Sequence, residues 1–214
     1  FEAVAYWADV YVNGQKAGSH EGAFTPFELE VTDLVRVGED NEVLVGVKSR
    51  HLFTVSGRTP YGWGSFWGET ISGIWQDVRL IARPRVHISD VFVQTSVDRR
   101  EIEIQVTVTN HSAAPVTVRL NNHVFEADRP APGSVPAKGL ERTHLTVPAG
   151  GTETVTVREP WANARLWWPD DPQLYVLVSR LYANDDSTDA LDMKRTRFGF
   201  REFRVAPDGR KFLL

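Results

Sequence analysis

The side chains with the most chemical potential cluster between Tyr61 and Val78. This stretch holds five aromatics (Tyr61, Trp63, Phe66, Trp67 and Trp75) and four glycines. Glu69 is the carboxylate of its loop part. A ring face can cover an apolar C–H face, and an indole N–H can donate to a hydroxyl. An aromatic loop held by a rigid sheet therefore presents a flat, partly polar platform, suited to ligands such as sugars. Trp63, Phe66 and Trp67 are the stacking candidates, and the adjoining His51 is a further candidate substrate contact. The competing reading is that these rings pack between domains.

Other constellations are weaker. Asp170-Asp171 and Asp185-Asp186 are adjacent pairs, and neighbouring aspartates on a turn point apart into solvent, so a turn role is expected for both. The histidines are His20, His51, His87, His111, His123 and His144. No two share a strand at metal-ligand spacing, and no metal site is expected. Phosphate loops, dinucleotide fingerprints and zinc motifs are absent, and Gly57 and Gly64 do not build a nucleophile elbow. The chain has no cysteine, which removes disulfides, thiolate ligands and cysteine nucleophiles. No cofactor is expected, and the sequence does not set the compartment.

A length of 214 residues suits one or two domains, each with its own core. Apolar content is 42% and charged content 24%, ordinary for a globular protein. Net charge is −4, and Lys and Arg are scattered, which argues against a nucleic-acid groove. No apolar run approaches the roughly 18 residues of a membrane span.

The periodicity is two almost everywhere, which predicts strands. Ala8, Val10 and Val12 alternate with Trp7, Asp9 and Tyr11, and Asn13-Gly14 signals a type I′ hairpin turn. Val43, Val45 and Val47 form a second set. Ser72–Val78 reads as a buried strand containing Trp75, with Val78 and Leu80 on one face and an end at Arg83-Pro84. Beyond Pro84, Val86 and Ile88 open a new series. Ile102, Ile104, Val106 and Val108 alternate with Glu103, Gln105, Thr107 and Thr109. Turns are expected at Asn110-His111-Ser112 and Ala149-Gly150-Gly151. Val116, Val118 and Leu120, then Val155 and Val157, then Leu174, Val176 and Val178 follow. Ala127–Lys138 carries three prolines and reads as a loop. Short Val/Thr-rich strands at regular spacing predict β-sandwiches.

Four segments also resemble one known family in order. They are Ala8-Asp9-Val10-Tyr11-Val12-Asn13-Gly14 running on to Phe24-Thr25-Pro26-Phe27; Ser72-Gly73-Ile74-Trp75-Gln76-Asp77-Val78; Leu166-Trp167-Trp168-Pro169 with Pro172-Gln173-Leu174-Tyr175; and Arg197-Phe198-Gly199-Phe200-Arg201-Glu202. Together they resemble the front part of glycoside hydrolase family 2, which includes β-galactosidases, β-glucuronidases and β-mannosidases. Ala23 and Phe24 depart from the family's usual Gly-Tyr. The resemblance implies an all-β fold. A jelly-roll sugar-binding-type domain over 1–84, incomplete at its N-terminus, would precede an immunoglobulin-like β-sandwich over 85–200. Residues 201–214 would start a (β/α)8 barrel, with Pro207-Asp208-Gly209 as the turn of its first hairpin.

The family consists of retaining glycosidases, whose chemistry needs two carboxyl groups about 5–5.5 Å apart, one a general acid/base and the other a nucleophile. In the family both are barrel glutamates, and no residue here maps onto them, so no catalytic residue is nominated. Some members place an acidic residue before the "S-G-I" run that accepts hydrogen bonds from sugar hydroxyls. Glu69 stands four places before Gly73, two places off that register. The substrate contacts expected on this basis are Glu69, Trp63, Trp67 and His51. Trp75 is expected in the core, and Trp167 and Trp168 at a seal of the second sandwich or its barrel contact. His20 is expected to be structural. Expected partners are a carbohydrate, the chain's own barrel and a homo-oligomeric copy. A free-standing carbohydrate-binding protein is the alternative. Both ends read as cut, since the chain starts at Phe1 and stops in the apolar run Phe212-Leu213-Leu214. Severed strands leave unpaired sheet edges, so the isolated chain is expected to be poorly soluble. Light scattering that finds a monodisperse monomer at high concentration would count against that reading.

Overall fold

The computed structural model of the protein describes residues 1–48, 72–126, 133–207 and 209–210, together with the backbone of 212–213. The chain divides into two compact units, Phe1–Ile81 and Ala82–Leu214. Among the described residues the regular elements are all β-strands, as the sequence predicts.

The first unit contains β1 (Val4–Ala5), β2 (Trp7–Val12), β3 (Gln15–Glu21), β4 (Val43–Lys48) and β5 (Gly73–Ile74). Strand β2 lies centrally in an antiparallel sheet of order β3-β2-β4, and β1 pairs with β5. The alternation on β2 buries Ala8, Val10 and Val12. Asn13 and Gly14 take φ of 51° and 78°, the left-handed pair that a type I′ turn requires. The connection from β3 to β4 carries no strand; turn bonds such as Leu34 N to Val31 O pair some of its backbone groups, and side chains pair others. Asn13 does this from the hairpin turn. Its Nδ2 donates to Leu34 O and Asn41 Oδ1, each at 2.8 Å, while its Oδ1 accepts from Glu42 N. Asn41 extends the network, accepting from Arg36 N and donating to Arg36 O and Glu39 O.

The second unit opens with β6 (Val86–Ser96), β7 (Glu101–Asn110) and β8 (Val116–Phe125). Next come β9 (Lys138–Gly139), β10 (Thr143–Val147) and β11 (Thr152–Pro160). The last strands are β12 (Leu174–Tyr182), β13 (Asp192–Gly199), β14 (Arg204–Val205) and β15 (Phe212–Leu213). One sheet runs β10-β8-β12-β13, with β9 also on β8; the other runs β11-β7-β6. Their inner faces form a single core, the arrangement of an immunoglobulin-like sandwich. Ile102, Ile104, Val106 and Val108 are all fully buried on β7. Trp161 packs against Tyr175 and Phe200, with ring centroids 4.9 and 5.7 Å apart. Strand β12 is buried on both faces. Tyr175, Leu177 and Leu181 join the core, whereas Val176 and Val178 form a second cluster with Phe125. That explains its near-continuous apolar run, which alternation alone does not read. The strands β14 and β15 pair as a hairpin.

Asn110 holds two turns of this unit together. The residue is fully buried at the end of β7. Its Nδ2 donates to Ala114 O at 2.9 Å, Pro148 O at 3.1 Å and Val147 O at 3.3 Å. Its Oδ1 accepts from Ser112 N, and its own N donates to Gly151 O. The β7–β8 turn and the β10–β11 turn, both expected from sequence, thus share one side chain.

One expectation fails. Ser72–Val78 is not a buried strand. Only Gly73–Ile74 is paired, because β1, its partner, is two residues long. Val78 is 53% exposed and Leu80 85% exposed, and residues 75–85 form no strand. Trp75 is half-buried and follows β5 instead of lying inside a core strand.

Two outcomes follow. Asn110→Ala strands buried carbonyls and the Ser112 amide, and should lower unfolding free energy by about 1–3 kcal/mol in urea titration, since each unsatisfied buried group costs on that order. Ile104→Ala empties a fully buried core position and should cost about 2–5 kcal/mol.

Candidate functional site

His51, Trp63, Phe66, Trp67 and Glu69 all lie outside the described residues. What the structure gives is the frame on either side of them. Upstream, β4 ends at Lys48, which is paired with Trp7 on β2. Lys48 O also accepts from Tyr6 N at 3.2 Å. Downstream, Gly73 and Ile74 pair with Ala5 and Val4. Beyond them Trp75 N donates to Ala3 O, and Glu2 N to Asp77 O at 2.9 Å. Both flanks are therefore fixed on the continuous segment 2–7.

Trp75 anchors the downstream flank. Its indole N–H donates to Ala23 O at 2.9 Å, and its ring meets Phe24 edge-on at 5.8 Å. Ala23 and Phe24, the positions that depart from the family's Gly-Tyr, are thus the ones that seat Trp75. His20 sits on β3, stacked on Phe27 at 4.3 Å, with Nε2 3.2 Å from Thr25 Oγ1. These contacts are packing contacts, in keeping with a structural role. Gly73 holds φ of 84°, and a Cβ there would meet nothing within 4 Å. Its constraint is backbone conformation, not space.

In the second unit, Trp167 and Trp168 line a cleft with Leu166, Phe200, Arg201, Glu202 and Arg204. Trp167 N donates to Phe200 O, and the Arg201 guanidinium lies 4.4 Å from the Trp167 ring centroid, a cation–π contact. Glu202 accepts from Ser96 Oγ and Val97 N, both at 2.9 Å, and Arg204 pairs with Asp98 at 2.9 Å. The cleft holds about 110 Å³, well below the roughly 300 Å³ at which ligand pockets begin. It serves as a packed joint. Trp167 was expected at a seal of the second sandwich or its barrel contact; that its partners there are Phe200 and Arg201 was not read from the sequence.

Asp170 and Asp171 lie on a turn. Trp168 and Asp171 exchange backbone hydrogen bonds at 3.0 and 3.1 Å, and Arg165 pairs with the Asp171 carboxylate. Asp185 does more than the expected solvated turn residue. Its carboxylate meets His144 Nε2 at 2.9 Å, while its backbone O accepts from the buried Arg119. The His144 hydrogen bond holds the Asp185 carboxyl below the usual carboxylate range, with the charges of His144 and Arg119 adding to it. Burial, then the Arg180 charge, pushes His123 down. Among the described residues, no three His, Asp or Glu side chains gather as a metal site.

Solved structures share this fold. Bacteroides uniformis β-glucuronidase superposes on 95% of the chain with a TM-score of 0.79 at 23% identity, over 24% of its own length. Residues 1–84 match the sugar binding domain of glycosyl hydrolases family 2, and residues 86–201 match glycosyl hydrolases family 2 itself. The chain belongs to glycosyl hydrolases family 2. Similar curated proteins include a β-glucuronidase of Formosa agariphila, 25% identical over 97% of the chain, and a β-galactosidase of Clostridium acetobutylicum, 26% identical over 96%. The chain spans 22% and 20% of their respective lengths.

Two measurements test this frame. Gly73→Ala should destabilise the first unit by about 1–2 kcal/mol, the cost of a left-handed non-glycine residue, whereas Gly139→Ala, with open space and no positive φ, should be near neutral. Asp185 binds its proton more weakly folded than unfolded, so its contribution is present above the ordinary carboxylate range. That contribution fades as pH falls through its depressed value. Acid titration of His144→Ala should therefore show a shallower loss of stability in that window than the parent.

Proposed function

We propose that this chain is the non-catalytic sandwich part of a retaining glycosidase, with a jelly-roll-type domain over 1–84, an immunoglobulin-like domain over 85–200 and the start of a catalytic barrel over 201–214. The observation that carries this reading is the tandem match to both family segments, combined with a span of about a fifth of the relatives' length. Its substrate would be a β-linked glycoside, with a β-galactoside the first choice and a β-glucuronide the second. The sandwiches would support the barrel and contribute to oligomer contacts. The segment carrying Trp63, Trp67, Glu69 and His51 would reach the rim of the active site from flanks fixed on segment 2–7. The two catalytic carboxyl groups would come from the barrel.

The chain alone should hydrolyse neither aryl β-galactosides nor aryl β-glucuronides. Turnover that co-purifies with the chain and disappears in Glu69→Gln would overturn the non-catalytic reading. Joined to a barrel that supplies the two glutamates, Glu69→Gln should raise KM for the glycoside more than it lowers kcat. An unchanged KM would remove Glu69 from the rim. The gene sequence beyond Leu214 separates this reading from a free-standing carbohydrate-binding protein, because a stop codon there favours the latter.

A further inference from the structure

On the two central strands of the larger sheet in the second unit, β8 and β12, the inner face is apolar except for one row. Along β8 it presents Val116, Val118, Leu120, Asn122 and Val124, and along β12 it presents Tyr175, Leu177, Ser179 and Leu181. Asn122 and Ser179 are directly opposite one another in the β8–β12 ladder, and both are fully buried. Leu120 faces Leu181 on one side of them, and Val124 faces Leu177 on the other. Among the described residues, neither amide atom of Asn122 nor the hydroxyl of Ser179 has a protein hydrogen-bond partner. Leaving three such atoms bare would cost several times the roughly 1–3 kcal/mol of one unsatisfied buried group, a large part of a domain's whole stability.

Volume points the same way as polarity. Serine stands between two leucines on the inner face of β12, the smallest side chain on that face of the strand. A dry gap in a close-packed core costs stability in proportion to its volume. A polar gap is instead filled by water, and a buried water makes about three hydrogen bonds to otherwise unsatisfied groups. The site offers three such atoms.

We propose that Asn122 and Ser179 form an internal hydration site that binds one ordered water between β8 and β12. The occupant is neutral. No carboxylate lies on this row, and the next residue across it, Lys194 opposite Ser179 on β13, is a cation whose amine already engages Ser89 O at 2.8 Å and the Asp90 carboxylate at 3.8 Å. A metal ion would lack anionic ligands here and face that amine. The water satisfies the pair and ties the two central strands of the sheet in one register, because a slip of one residue would turn Asn122 and Ser179 to the opposite face.

The test is a crystal structure of the chain, or of the longer protein that contains it, at a resolution that shows internal waters. It should show one water within hydrogen-bond distance of the Asn122 amide and the Ser179 hydroxyl. A direct Asn122–Ser179 hydrogen bond with no water beside it, or an ion with metal-like distances, overturns the proposal. Stability gives an independent readout. Asn122→Leu and Ser179→Ala each remove only part of the water's shell and should lower Tm by several degrees. The double variant, with a dry apolar row, should lose clearly less than the two shifts added together. Additive shifts overturn the proposal, as does a slowly exchanging water that is missing from NMR cross-relaxation with the Asn122 side-chain amide.

Discussion

The constraint on which both units depend is that a sandwich must turn its connections without leaving buried backbone groups unpaired. Strands satisfy themselves through their ladders, but turns and long connections pair only part of their backbone groups this way. In each unit an asparagine carries much of this task. Asn110 carries three carbonyls and an amide belonging to two separate turns. Asn13 links the β2–β3 turn to the strandless connection that returns to β4. Asparagine suits the task because one short side chain offers both an acceptor and two donors. It also tolerates the left-handed backbone that Asn13 adopts in its turn.

With the turns closed, the core follows from alternation. The four residues from Ile102 to Val108 pack as one face of β7 because every second side chain of a strand points the same way. The aromatic group of Trp161, Tyr175 and Phe200 then closes one end of the second unit. Next to it, Arg201 covers the Trp167 ring, and Glu202 binds the C-terminal segment back to the β6–β7 turn through Val97 N. This joint explains why two tryptophan- and arginine-containing runs far apart in the chain occur together. They are two halves of one contact.

The same logic bears on the proposed function. A loop can present side chains to a substrate only if its ends are held. The flanks of residues 49–71 are held by the ladder to β2 and by the short β1–β5 pair. The Trp75 indole, bonded to Ala23 O, fixes the second flank with a side chain where the backbone ladder is too short to do so. The run Ser72–Val78 thus acts as an anchor more than as a core strand, and this is the point at which alternation misleads. Val78 and Leu80 alternate like strand residues, yet no partner strand is long enough to pair with them.

The strands of β2, β7, β8 and β11 and the Asn13-Gly14 turn were legible in the sequence, because a two-residue period and left-handed turn residues are local properties. The family was legible too, since its motifs are short and continuous. The burial of β12 on both faces was not, for burial depends on what covers the second face. Nor was the use of Asn110 to join two turns, the seating of Trp75 on Ala23, or the meeting of Asn122 and Ser179 in one inner row. Each of these pairs residues distant in sequence, and only the ladder registers and sheet packing of the folded chain decide which of them meet.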